Sequence, residues 1–83
     1  MDFKQWIETF VEEKELDKEE EFIVDHKANI HFIEVATVVQ LCKQANEVEQ
    51  DKIKKDLVFL DFHNADVMDY FEHLAKAYVY NNF

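Results

Sequence analysis

The chain contains no glycine, no proline, no serine and no arginine, and it has a single cysteine. Each absence removes a class of chemistry. Phosphate-cradling loops, dinucleotide fingerprints and EF-hand calcium loops all need glycine at fixed places. Without serine there is no serine nucleophile and no nucleophile elbow. The two threonines, Thr9 and Thr37, fall inside helical patterns. The lone cysteine, Cys42, forbids an intrachain disulfide and any Cys-x-x-Cys redox or zinc motif, and points to a cytoplasmic protein. No apolar run approaches the roughly 18 residues of a membrane span. No basic segment followed by an apolar one marks a signal peptide. Tight primed hairpin turns favour Gly or Asn, whereas helix interiors lose nothing by lacking Gly and Pro. The composition therefore leans helical.

What is present is acid and aromatic. Nineteen Asp and Glu face nine lysines in 83 residues, a formal net charge of -10. The length allows one domain, since domains run to roughly 100–200 residues each. A chain this size buries only roughly 60–65% of its unfolded surface. Its core must be filled by large side chains, and one Trp, three Tyr and eight Phe supply them.

The periodicity predicts helices. Phe3, Trp6, Ile7, Phe10 and Val11 form one apolar stripe over about residues 3–15, with Asp2 as N-cap and Gln5 completing a capping-box pattern. Residues 12–25 carry eight acids against Lys14 and Lys18, and read as a solvated connection or a short helical turn. Phe22-Ile23-Val24 and Ile30 to Val35 then flank a polar five-residue break, Asp25 to Asn29. Two readings are open there: a short hairpin near residues 21–34, or a helix starting at about Phe32. Val35, Val38, Val39 and Cys42 share a face of a helix from Glu34 to Ala45. Val48, Ile53, Leu57 and Leu60 continue in the next helix, which ends near Phe59 to Phe62. Val67, Phe71, Leu74, Ala75 and Tyr78 stripe the last helix, capped by Asn64 or Asp66, with a frayed tail after Tyr80. The expected fold is mainly α, a bundle of about four helices in one domain spanning 1–83.

Several constellations could carry chemistry. Asp69 and His73 stand at i, i+4 and could offer two metal ligands, with His63 and Asp66 nearby. His26 and His31 lie across the proposed turn from each other. A zinc site needs three or four converging ligands, and the spacing shows no convergence. Asp69 with His73 is more often a surface ion pair. Asp61, among Phe59, Leu60 and Phe62, is the best placed carboxylate for acid–base work, but a helix-end residue facing water fits it better. Cys42 reads as a core residue. No cofactor is expected. A chain at -10 repels phosphate, so direct nucleic-acid binding is disfavoured. It could instead imitate DNA. Duplex carries about 18 charges over a 30 Å length, and ten net charges reach roughly half that density.

Two blocks resemble a known group of proteins. Phe3-x-x-Trp6-Ile7-x-x-Phe10-Val11-Glu12-Glu13-Lys14 is one. The more specific runs Glu49-Gln50-x-x-Ile53-Lys54-x-x-Leu57-Val58-x-Leu60-Asp61-Phe62-x-Asn64-Ala65-Asp66-Val67-x-x-Tyr70-Phe71-x-His73-Leu74-Ala75. Together they resemble small uncharacterised proteins carried on plasmids, phages and conjugative elements of Firmicutes. Those proteins have Asn-Gly-Asp where this chain has Asn64-Ala65-Asp66, which puts a left-handed turn there in question. The resemblance covers about two-thirds of the chain and matches poorly over residues 16–34. It implies an accessory protein of a mobile element and supplies no activity.

The expectation is therefore a non-enzymatic, acidic protein-binding module, an accessory or inhibitor protein with a basic-surfaced protein partner. Its candidate contact residues are Glu12, Glu13, Glu15, Asp17, Glu19, Glu20, Glu21, Asp61, Asp66, Asp69, Glu72, Tyr70 and Tyr80. The alternatives are a DNA-mimic inhibitor of a host nucleic-acid-binding protein, a small metal-dependent enzyme using His63, Asp66, Asp69 and His73, and a structural homodimer.

Overall fold

Asp2 starts the first helix as its sequence position implies. In the computed structural model, which describes residues 1–83, its carboxylate accepts the Gln5 amide at 2.8 Å and opens α1, Phe3–Glu13. Ile7, Phe10 and Val11 are buried, and the rings of Phe3, Trp6 and Phe10 stack along the same face. The helix stops two residues short of the expected end because Glu15 turns left-handed, at φ 56°. The Leu16 amide then donates to the Val11 carbonyl at 3.1 Å and the Glu15 amide to Glu12 at 3.0 Å. That bond pair is a Schellman closure, normally built on glycine.

The acidic connection leads into a hairpin, and the helix alternative at Phe32 does not occur. Strand β1, Glu21–His26, pairs antiparallel with β2, Asn29–Glu34, from Glu21 opposite Glu34 to His26 opposite Asn29. The turn is two residues long, not five. Lys27 and Ala28 both hold positive φ, 51° and 63°, as a primed turn demands. Side chains alternate across the sheet. Phe22, Val24 and Ile33 face the core, while Ile23, Ile30 and Phe32 are exposed.

Helix α2, Val35–Gln44, follows β2 directly and buries Val35, Val38, Val39 and Cys42, the face its periodicity implies. Helix α3, Glu47–Phe59, is capped by the Asn46 side chain, which accepts the Glu49 amide at 2.9 Å. It buries only Ile53 and Leu57; Val48, expected in the stripe, is 79% exposed. Helix α4, Asn64–Asn82, buries Val67, Phe71, Ala75 and Val79, with Leu74 and Tyr78 flanking.

The start and end of α4 both differ from expectation. His63 occupies the cap position without a side-chain cap bond, and Asn64 instead donates to the Lys14 carbonyl at 3.0 Å. The backbone through Asn64-Ala65-Asp66 is helical with no positive φ, so no glycine is needed there. At the far end the helix does not fray after Tyr80. The Tyr80 ring lies 4.9 Å from His26, the Phe83 ring 4.6 Å from His31, and the Phe83 carbonyl accepts from the Lys27 ammonium at 2.9 Å. The two turn-flanking histidines thus serve as packing surfaces for α4. All sixteen buried residues belong to one hydrophobic cluster. No helix is long and apolar enough to cross a membrane.

Candidate functional site

Acids far apart in sequence meet along one side of β1. A groove of about 380 Å³ runs there, walled by Glu20, Glu21, Phe22 and Ile23 on one side and by Met68, Asp69 and Glu72 of α4 on the other. Strand alternation turns Phe22 inward and Ile23 outward, and Met68 is half-buried against the core. Asp69 is exposed, and Glu72 is held only loosely by Lys76, at 3.7 Å. The groove is therefore lined by four carboxylates together with Phe22, Ile23 and Met68, and by no lysine.

The other acids fare differently. Glu12, Glu13, Glu15, Asp17 and Glu19 are exposed around the end of α1 and in the connection, outside the groove. Asp17 accepts the Glu19 amide at 2.9 Å, which shapes the approach to β1. Asp61 lies at the rim of a hollow lined by Met1, Trp6, Phe10 and Val58, but it is exposed and pairs with the Lys14 ammonium at 2.8 Å. Asp66 is exposed in the first turn of α4. Glu8 receives both Lys18 and Lys43, and these two hydrogen bonds hold its carboxyl below the ordinary range against the opposing pull of burial. Lysine pairs thus reach Glu8, Asp61 and Asp56 of the helical body and, in the groove, Glu72 alone, leaving Glu20, Glu21 and Asp69 without a lysine partner.

The aromatic candidates are also redistributed. Tyr70 is half-buried, and its hydroxyl donates to Asp56 at 2.8 Å, so it is not presented to a partner. Tyr80 is exposed at one edge but lies against His26. Besides Tyr80, the exposed large apolar residues include Ile23, Ile30 and Phe32 on the hairpin, and Val58, Phe59 and Phe62 where α3 meets α4. Apart from Phe62, sequence reasoning left these out as contact residues. Three consecutive apolar residues, Phe22 to Val24, on a strand whose side chains alternate faces leave one of them outside, which is the signal that could have identified Ile23.

No three His, Cys, Asp or Glu side chains gather into a group that could hold a metal ion. His63, Asp66, Asp69 and His73 are all exposed on α4 or just before it. Cys42 is buried, and burial pushes its thiol up to about 12, which keeps it protonated and unreactive. In comparisons with known proteins, no family model, no curated protein and no solved structure matches the chain.

Proposed function

We propose that the protein is a non-enzymatic binding module that takes a basic segment of a partner protein into the groove between β1 and α4. The observation that carries this reading is the convergence of Glu20 and Glu21 with Asp69 and Glu72 around one groove that Phe22, Ile23 and Met68 also line. Carboxylates on both walls favour a cationic occupant and speed its approach, while Phe22, Ile23 and Met68 supply the apolar contact that holds it. A module of this kind acts by occupying its partner, as a cytoplasmic inhibitor or accessory protein does. A role on a mobile element fits such a mode of action.

The test is capture of partners from a host lysate with the tagged chain, at low and high salt. The charge reversals Glu20→Lys and Asp69→Lys together are expected to abolish capture of the specific partner. Reversal of Glu12 and Glu13, which lie outside the groove, should leave it in place. A captured set that is unchanged by the groove reversals would sink the reading.

A further inference from the structure

We propose that the occupant of the groove binds as an added β-strand: an extended, basic segment of another protein pairs with the free edge of β1 through the main-chain groups of Ile23 and Asp25. This rests on the groove reading above and specifies how the partner is held.

The register places the free groups. In an antiparallel pair, residues alternate between those that exchange main-chain bonds with the opposite strand and those whose N–H and C=O point away from it. Across a two-residue turn the closing pair, His26 and Asn29, is a bonded one. The same parity gives Val24 with His31 and Phe22 with Ile33. The Val35 amide, donating to the Glu20 carbonyl at 2.9 Å, continues it beyond the strands. Ile23 and Asp25 therefore aim their main-chain groups outward. The sheet has two strands only, so nothing pairs with them. Neither residue takes part in any of the fifteen backbone hydrogen bonds made outside the helices and the hairpin.

The groove lies along this edge. Its β1 wall is the consecutive run Glu20 to Ile23, which includes side chains from both faces of the strand. A cleft over one face would touch alternate residues; a cleft along the edge touches consecutive ones. Such an edge is a template for strand addition, with main-chain bonds giving affinity and alternate side chains giving selectivity.

Charge decides the occupant. A second copy joining edge to edge would oppose Glu21 and Asp25 to the same acids of its partner, the device by which edge strands avoid self-association. A segment alternating Lys or Arg with apolar residues reverses that sign. On the outer face its cations meet Glu21 and Asp25, which flank Ile23, and on the inner face its apolar side chains meet Met68.

The probe is a synthetic peptide, acetyl-Lys-Val-Lys-Val-Lys-Val-amide, titrated into the isotope-labelled full chain and followed by NMR. Slowed amide exchange is expected at Ile23 and Asp25, with Ile30 and Phe32 on the opposite edge unaffected. A fully N-methylated peptide of the same sequence should bind about tenfold more weakly or worse, the cost of one or more lost hydrogen bonds. Ile23→Pro, which lacks the outward N–H but breaks no bond of the hairpin, should bind about tenfold more weakly than Ile23→Ala. Equal affinity of the N-methylated peptide overturns strand addition even if Ile23→Pro fails to fold. Protection at Ile30 and Phe32 instead, or protection at Ile23 that rises with protein concentration alone, overturns the chosen edge or the foreign occupant. Absence of binding also overturns it, and the groove reading then stands or falls on the capture experiment with Glu20→Lys and Asp69→Lys.

Discussion

The Tyr70 hydroxyl donates to the Asp56 carboxylate at 2.8 Å and so ties α4 to α3. Burial raises the pKa of this phenol, and the hydrogen bond to Asp56 raises it further. A raised value in the folded state means stability that is fully present below the ordinary tyrosine value of 10.0 and declines as pH climbs beyond it. Tyr70→Phe should cost about 1 kcal/mol at neutral pH, because Asp56 keeps access to water after the bond is lost. The variant should also lose less stability than the parent above pH 10. Urea unfolding at pH 7 and in the alkaline range measures both effects.

Glu8 gives the opposite limb. Its folded-state value is lowered by Lys18 and Lys43, so its contribution is present above the ordinary carboxylate value of 4.5 and is lost as pH falls below it. Glu8→Gln should destabilise the protein at neutral pH and flatten its loss of stability on acidification. A pH series of thermal melts between neutral and about pH 3 follows the carboxylate titration. Parallel curves for parent and variant would show that the triad contributes nothing.

The missing glycines leave a measurable strain. Glu15 and Ala28 hold left-handed backbone at φ 56° and 63°, where a side chain costs about 1–2 kcal/mol. Glycine removes that strain but returns some of the gain as unfolded-state entropy. Glu15→Gly and Ala28→Gly should therefore each stabilise by about 0.5–1 kcal/mol, raising Tm by roughly 4 °C. Ala65→Gly, at a helical position, should give no gain. Differential scanning calorimetry of the three variants separates them.

Helix α3 is the least anchored of the four. Thirteen residues contribute two to the core, Ile53 and Leu57, helped by Lys54 lying 5.4 Å from the Trp6 ring centre. Its amides should exchange with solvent at a lower free energy than those of α1 or the centre of α4. Leu57→Ala should cost about 3 kcal/mol, since Leu57 is fully buried. Native-state hydrogen exchange tests the ranking, and equal protection across all four helices would refute it.

The helical faces were legible in the sequence because each is a local pattern. Asp2 and Asn46 cap where a polar acceptor precedes an apolar stripe, and the buried face of α2 is the one its spacing implies. What escaped was set by unusual backbone or by distance. The αL turn at Glu15 and the two-residue turn at Lys27-Ala28 carry no glycine to announce them, so α1 read too long and the hairpin loop too wide. Val48 fits a helical period, yet α3 has nothing packed against that side. The tail of α4 read as frayed because its partners, Lys27 and His31, lie more than fifty residues away. Both halves of the acidic groove were among the candidate residues, but their meeting depends on α4 packing under β1, which no local pattern contains.

The alternation of β1 has an evolutionary consequence. Phe22 and Val24 are committed to the core, whereas Glu21, Ile23 and Asp25 bear on whatever lies outside. Selection can act on the two sets almost separately. A lineage meeting a new partner could rewrite the odd-numbered positions, one at a time, without putting the folded state at risk. Among diverging descendants of this chain, residues 21, 23 and 25 should drift quickly while 22 and 24 stay apolar.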